Sequence, residues 1–217
     1  MDLDSSYHKY DNSFLNVIMV CNIAQGFKRL MDLGLYYVYK DKLNLEPAEI
    51  EVLLGIINFP WVVKMIFGII SDNMTFFGSR RKSYFILACS VNLLSLVALM
   101  GYSVTYGKYF ITGCVFVTQL CMTYCDALSD ALVVQSSRID PENGSENLNS
   151  LTVLAFAMGG FIGCVFAGGI EVLEVLTPEK HKEVDTNIYF GIYTAFIILL
   201  FTSVITLDQK MEPDIVI

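Results

Sequence analysis

The sequence is poor in charged residues, which make up only 17% of the chain, whereas hydrophobic residues make up 54%. A soluble domain usually carries about 25% charged residues. The hydrophobic residues fall in long blocks. Because a helix satisfies its own backbone hydrogen bonds, blocks of about 20 apolar residues predict helices that cross a lipid bilayer. The composition therefore indicates an all-α integral membrane protein and argues against a soluble enzyme.

Other scarcities exclude further classes of protein. There are 14 basic residues against 22 acidic ones, so that the net charge of −8 offers no basic surface for nucleic acid. The chain has only 2 histidines, and it lacks a nucleotide-binding loop, a Ser-His-Asp order and zinc-ligand spacing, so we expect no enzyme, cofactor or metal site. All 6 cysteines lie within hydrophobic segments, which argues against the disulfide framework of a secreted domain.

Six hydrophobic segments are long enough to cross a bilayer, and together they predict a six-helix transmembrane bundle over residues 14–207. A tail of residues 1–13 precedes the bundle and a tail of residues 208–217 follows it. The segments lie near 14–39, 49–71, 83–104, 109–137, 148–170 and 188–207.

The orientation follows from the basic cluster Arg80-Arg81-Lys82, between the second and third segments. Short loops rich in lysine and arginine stay on the cytoplasmic side of a membrane. With this loop inside, both chain termini are expected to be cytoplasmic.

The first segment carries a polar stripe on one helical face, because its polar residues recur at intervals of three and four. Lys28 lies beside the stripe and is four residues from Asp32, so that these two side chains can pair. A charge in hydrocarbon costs about 2.5–3.5 kcal/mol, so the stripe is expected to face the bundle interior or a wet cavity. Its members are Asn22, Gln25, Arg29, Asp32 and Tyr36.

The fourth segment repeats this pattern with Gln119, Thr123, Asp126 and Asp130. Two carboxylates on one intramembrane face favour sharing of a proton, so that one of them could act as a proton carrier. The second segment contributes Lys64, four residues after Pro60, which is expected to kink the helix.

Two interpretations of these charges remain open. In the first, the three basic residues merely neutralise the three acidic ones inside the bundle. In the second, the pairs form at rest and are exchanged for a solute. The residues concerned are Lys28, Arg29, Lys64, Asp32, Asp126 and Asp130.

The fifth segment contains two ladders of small residues at spacing four, which let helix backbones approach closely. Fixed packing and a sliding interface are equally compatible with such ladders. One ladder is Gly159, Gly163 and Ala167, and the other is Gly160, Cys164 and Gly168.

The loop after the second segment combines glycines with charges of both signs. Asp72 follows the end of a helix, where the helix dipole disfavours an anion, so it needs a cationic partner such as Arg80 or Arg81. A charge cluster of this kind can act as a latch, and its residue order resembles the signature loop of the major facilitator superfamily. The gating residues are Gly68, Asp72, Gly78, Arg80 and Arg81.

Several longer runs resemble the folate–biopterin transporter family, in one consistent order over about residues 22–170. The sequence departs from the family pattern at Met65, where the family typically has proline. The matching runs are Gln25-Gly26, Tyr36-Tyr37, Lys40-Asp41, Phe59 to Lys64, Gly68 to Asp72, Phe76 to Tyr84, Asp126 to Val134, Ser137-Arg138, Asn147-Leu148 and Gly159-Gly160.

The resemblance implies the N-terminal half of a carrier that works by alternating access in the bilayer, with a C-terminal six-helix half in the same or another chain. A pterin ring presents N–H donors that suit Asp126 or Asp130, and a folate tail presents carboxylates that suit Arg29 and Lys64. Gln25 is expected to line the same site, and the remaining carboxylate could couple transport to protons. The alternatives are a non-transporting scaffold subunit and a carrier of another solute, such as an amino acid or S-adenosylmethionine.

Overall fold

The computed structural model describes residue 10 and residues 12–73, 82–102, 107–140, 143–176 and 187–206. For residues 70–73, 102 and 173–176 it describes the backbone alone. Within these ranges every regular element is helical and none is a strand, which confirms the all-α fold class.

The helices follow the predicted hydrophobic segments to within a few residues. Helix α1 continues into a π-helical turn at Val38–Lys42, and α2 and α3 together form the second segment. A 3-10 turn at Ser137–Ile139 follows α5. The bounds are α1 Asn12–Tyr37, α2 Pro47–Val62, α3 Lys64–Asn73, α4 Lys82–Tyr102, α5 Gly107–Ser136, α6 Gly144–Leu176 and α7 Asn187–Ile205.

Five helical segments of the described chain are long and apolar enough to cross a membrane. Helix α1 is not among them, although it has 26 residues, because Lys28, Arg29 and Asp32 interrupt its apolar stretch. A sixth span formed by α1 stays a prediction. The five are Pro47–Ile69, Lys82–Gly101, Gly107–Ser137, Gly144–Val172 and Asn187–Ile205.

The second segment is broken close to the predicted kink. Pro60 has no N–H to donate to the preceding turn. Helix α2 ends at Val62, Val63 forms a turn, and α3 begins at Lys64. The break therefore places Lys64 at the first residue of a new helix.

The bundle is built around α1 and α5. Helix α1 makes its most extensive contact with α6 and also packs on α7, while α5 packs on α4 and on both α2 and α3. Helices α4 and α7 pack on each other. The contacts of the first three segments thus correspond to those of the last three. The contact of the first segment with the fifth, for example, corresponds to that of the fourth with the second, as expected for two related three-helix units.

The flanking helices leave large apolar surfaces uncovered. Only 17% of the most apolar stretch of α2 and α3 is buried, and only 22% of that of α6, against 67% for α5. Side chains such as Val62, Met65 and Phe161 are more than two-thirds exposed. These surfaces require lipid or another protein to cover them.

Glycines bring the backbones of α1 and α6 into direct contact. A Cβ atom built on Gly159 would lie 2.2 Å from the carbonyl oxygen of Ile23, and one on Gly26 would lie 2.1 Å from that of Phe156. At Gly163 the corresponding distance to Phe27 is 3.2 Å. Small residues are thus required along this interface.

The structure leaves Gly168 outside this interface, since a Cβ there would meet nothing within 4 Å among the described residues. A ladder at spacing four rotates by about 40° per step, because a helix turns about 100° per residue. Two steps from Gly160 therefore turn Gly168 away from α1. A Cβ on Gly68 likewise meets no described atom within 4 Å.

Candidate charge site in the bundle

Lys64 bridges two carboxylates on the neighbouring helix α5. Its Nζ lies 2.6 Å from Oδ2 of Asp130 and also pairs with Oδ2 of Asp126. The two aspartates are four residues apart and so lie one turn apart on the same helical face. The structure therefore joins three of the predicted site residues into one cluster, here called the Lys64 cluster.

The helix break explains why Lys64 needs these partners. The N-terminal end of a helix carries a partial positive charge, which disfavours a cation at that position. The two aspartates supply the compensating negative charge. The ring of Trp61 adds a cation–π contact, with its centroid 5.4 Å from Nζ.

The Lys64 cluster has one positive and two negative groups, so its formal charge is −1. The side chain of Asp126 is only 8% exposed, whereas that of Asp130 is 58% exposed and that of Lys64 is 26% exposed. Asp126 is thus held inside the bundle, and Asp130 presents its carboxylate to the outside. Such a site can take up a proton, a cation or the N–H groups of a solute.

A second ion pair forms within α1, where Lys28 Nζ lies 2.6 Å from Oδ1 of Asp32. The spacing of four residues predicted this pair, and the structure confirms it. Arg29 is exposed and makes no ion pair or hydrogen bond with any described residue. Pairing with aspartates therefore neutralises Lys28 and Lys64, whereas Arg29 has no such partner among the described residues.

The N-terminal residues of both polar stripes face the bundle interior. Asn22 is buried and donates to the carbonyl of Ile18 at 2.9 Å. Gln25 and Gln119 are buried too, and the Nε2 atom of Gln25 has no partner among the described residues. Gln25, predicted to bind solute, therefore lies inside the helix packing, while Arg29 and Asp32 on the same stripe reach the surface.

The sequence reasoning missed a set of contacts at the ends of the helices. Glu49, at the start of α2, pairs with Lys108, at the start of α5. The sequence contains one signal for this pair, because Glu49 and Lys108 carry opposite charges near the starts of two parallel segments.

Two tyrosines near the end of α1 add further ties. The Tyr37 hydroxyl donates to Glu171 on α6. The Thr112 hydroxyl donates to the Lys108 carbonyl at 2.7 Å, and so accepts from Tyr39 at 2.6 Å. These contacts fix the end of α1 to both α5 and α6, and no local spacing predicts them.

The predicted gating loop falls largely outside the described part of the chain. Gly78, Arg80 and Arg81 are not described, and Asp72 is described by its backbone alone, within α3. The latch therefore stays a prediction. In the described ranges, no three histidine, cysteine or acidic side chains are placed to hold a metal ion.

Comparison with known proteins decides the family. Residues 25–212 match the BT1 family model. The chain belongs to the BT1 family. This confirms the resemblance to folate–biopterin transporters seen in the sequence. Together with the apolar helices, it identifies an integral, multi-pass membrane protein.

Relatives of the chain come from distant organisms. "Folate transporter 1" of Plasmodium falciparum is 32% identical over 183 residues, which cover 83% of this chain and 35% of the relative. The "Folate-biopterin transporter" of Synechocystis is 30% identical over 200 residues, covering 92% of this chain and 39% of the relative. "Probable folate-biopterin transporter 4" of Arabidopsis thaliana is 27% identical over 158 residues, covering 72% and 32% respectively.

The chain thus matches about a third of the length of these curated relatives. No solved structure matches it.

Proposed function

We propose that the chain forms one half of a membrane carrier for folate, biopterin or a related solute, with the Lys64 cluster on the solute path. The observation that carries this proposal is a charge cluster in the membrane-spanning region that is partly open to the outside. The Lys64 cluster differs from the pairs Lys28–Asp32 and Lys108–Glu49 because one lysine joins two carboxylates, of which Asp126 is buried and Asp130 is exposed. Here the side chain of Asp130 is 58% exposed. We propose no catalytic activity.

The chemistry of the cluster suits the proposed solutes. A pterin ring presents adjacent N–H donors, and a carboxylate accepts two such bonds side by side. The exposed Asp130 is the acceptor, while Asp126 keeps Lys64 in place. Because the cluster carries a formal charge of −1, uptake of one proton neutralises it. Proton coupling therefore requires no group beyond these three.

The uncovered apolar faces of α2, α3 and α6 support a second half. The chain matches about a third of the length of its relatives, so more than half of each relative lies outside the matched part. We propose that a C-terminal six-helix half, in the same or another chain, covers these faces, and that rocking of the two halves gives alternating access. Both termini of the present half are proposed to be cytoplasmic.

The function is tested by removing one carboxylate at a time in the full-length gene product that contains this chain. Asp130→Asn and Asp126→Asn are each expected to lower uptake of labelled folate or biopterin by about tenfold or more, since hydrogen bonds to charged groups are worth about 1.5–3 kcal/mol. Uptake is measured in cells and normalised to the amount of protein in the membrane.

Glu49→Gln is the matched control, because it also removes a carboxylate from a lysine pair, but at the end of the bundle. Exposed pairs are worth about 0–1 kcal/mol, so uptake should fall less than about fivefold. Normal uptake in both aspartate variants would contradict the role of the cluster. If the unaltered gene product takes up neither solute, the chain is not a carrier of this class, and a scaffold function gains support.

A further inference from the structure

Arg29 borders a cavity between α1 and α6. The cavity has a volume of about 240 Å³. Its other walls come entirely from α6. The lining residues are Arg29, Phe156, Ala157, Gly160, Phe161 and Cys164.

Among the described residues, Arg29 differs from Lys28 and Lys64, the other cations within the predicted spans, in having no anionic partner. Lys28 is held by Asp32, and Lys64 is held by two aspartates. The Arg29 guanidinium contacts no carboxylate of the described chain within the distance of an ion pair. An unpaired arginine in a membrane-spanning bundle is costly, so a partner is expected from outside the described chain.

Gly160 makes room for this arginine on the surface of α6. A Cβ atom at Gly160 would lie 3.5 Å from Nε and 3.8 Å from Cδ of Arg29. The arginine stem therefore rests against the glycine backbone. This contact holds the guanidinium beside Phe156 and Phe161, whose side chains are 39% and 72% exposed.

The size and chemistry of the cavity indicate one end of a ligand. Sites that hold a whole drug-sized molecule usually measure about 300–1,000 Å³, so this cavity is too small for an entire folate. A guanidinium binds a carboxylate with two parallel hydrogen bonds, and the phenylalanine rings suit an adjoining aromatic group. A benzoate or a similar aromatic carboxylate has both features.

We propose that the Arg29 cavity is a separate subsite for the carboxylate-bearing end of the solute; this inference rests on the function proposed above. The Lys64 cluster has a formal charge of −1 and repels a carboxylate, so Lys64 does not take the anionic tail. Arg29, with a charge of +1, attracts it. The two sites together fix the direction of the solute, with its N–H donors toward α5 and its carboxylate between α1 and α6.

The inference is tested with two solutes that differ in charge. Folate carries carboxylates and biopterin carries none. In the full-length gene product, Arg29→Gln is expected to raise the KM for folate about tenfold or more, because a charge-assisted bidentate contact is lost. The KM for biopterin should change less than about threefold. Arg29→Lys keeps the charge without the planar fork and should fall between these values for folate.

Lys108→Gln is the control, since it removes a cation that already has a partner in Glu49 at the end of the bundle, and both KM values should change less than about threefold. If Arg29→Gln changes uptake of both solutes equally, or of neither, the subsite is wrong while the carrier function stands. The same conclusion follows if the unaltered protein takes up biopterin but not folate. Uptake of neither solute by the unaltered protein would contradict the carrier function and the subsite together.

Discussion

Lys64→Met is expected to abolish uptake, with a loss of about a hundredfold or more, and to reduce the amount of folded protein in the membrane. The substitution keeps an unbranched side chain of similar length but leaves two carboxylates without their cation. Asp126 is the more costly of the two, because its side chain is only 8% exposed. An uncompensated charge inside a membrane costs about 2.5–3.5 kcal/mol, which corresponds to a factor of roughly 70–400 in an equilibrium.

The loss of folding and the loss of transport are separated by a second substitution. Lys64→Met combined with Asp126→Asn removes the buried charge along with its partner, so the folded amount should recover while uptake stays low. Folded protein is measured by gel filtration in mild detergent, and uptake is measured in cells. Lys108→Met, at the end of the bundle, serves as the control. Full uptake by the single Lys64 variant would contradict any functional part for this cluster.

Gly159→Ala is expected to disrupt the α1–α6 interface and lower the free energy of unfolding by about 2–4 kcal/mol. The added Cβ would lie 2.2 Å from the Ile23 carbonyl oxygen and 2.8 Å from its Cα. These are backbone atoms, which cannot rotate aside as a side chain would. The two helices would therefore have to move apart along a contact that is the most extensive in the bundle.

Gly168→Ala is the matched control on the same helix. It adds the same methyl group where no described atom lies within 4 Å, and alanine is the better helix former by about 1 kcal/mol. We expect Gly168→Ala to be neutral or stabilising in a thermal unfolding experiment in detergent. Equal melting temperatures for the two variants would show that α1 and α6 do not meet through Gly159.

The helices and the ion pair within α1 could be predicted from the sequence because the signals are local. Long apolar runs mark the helices, and Pro60 marks the break before Lys64 to within a few residues. The spacing of Lys28 and Asp32 predicts their pair directly. In each case the information lies within one helix.

The arrangement of the remaining site depends on how each helix is rotated against its neighbours. Both Arg29 and Lys64 are cations of predicted membrane spans, yet Lys64 meets two aspartates of α5 and Arg29 lies against α6. No spacing within α1 distinguishes these outcomes. Phe156 and Phe161 were likewise indistinguishable from other apolar residues of α6, because their part in the cavity depends on Arg29 lying across Gly160.

The turn at Val63 separates α3 from α2, so that a change in the backbone at Val63 would reorient α3 as a short rigid segment. Helix α3 has 10 residues, so it is about 15 Å long. A rotation of only 10° about Val63 would displace its far end by about 2–3 Å while α2 stays in place. Among the described side chains of α3, Lys64 alone forms an ion pair, and it lies directly after Val63. A proton or solute bound at the aspartates, as proposed above, would therefore act next to the break between α2 and α3.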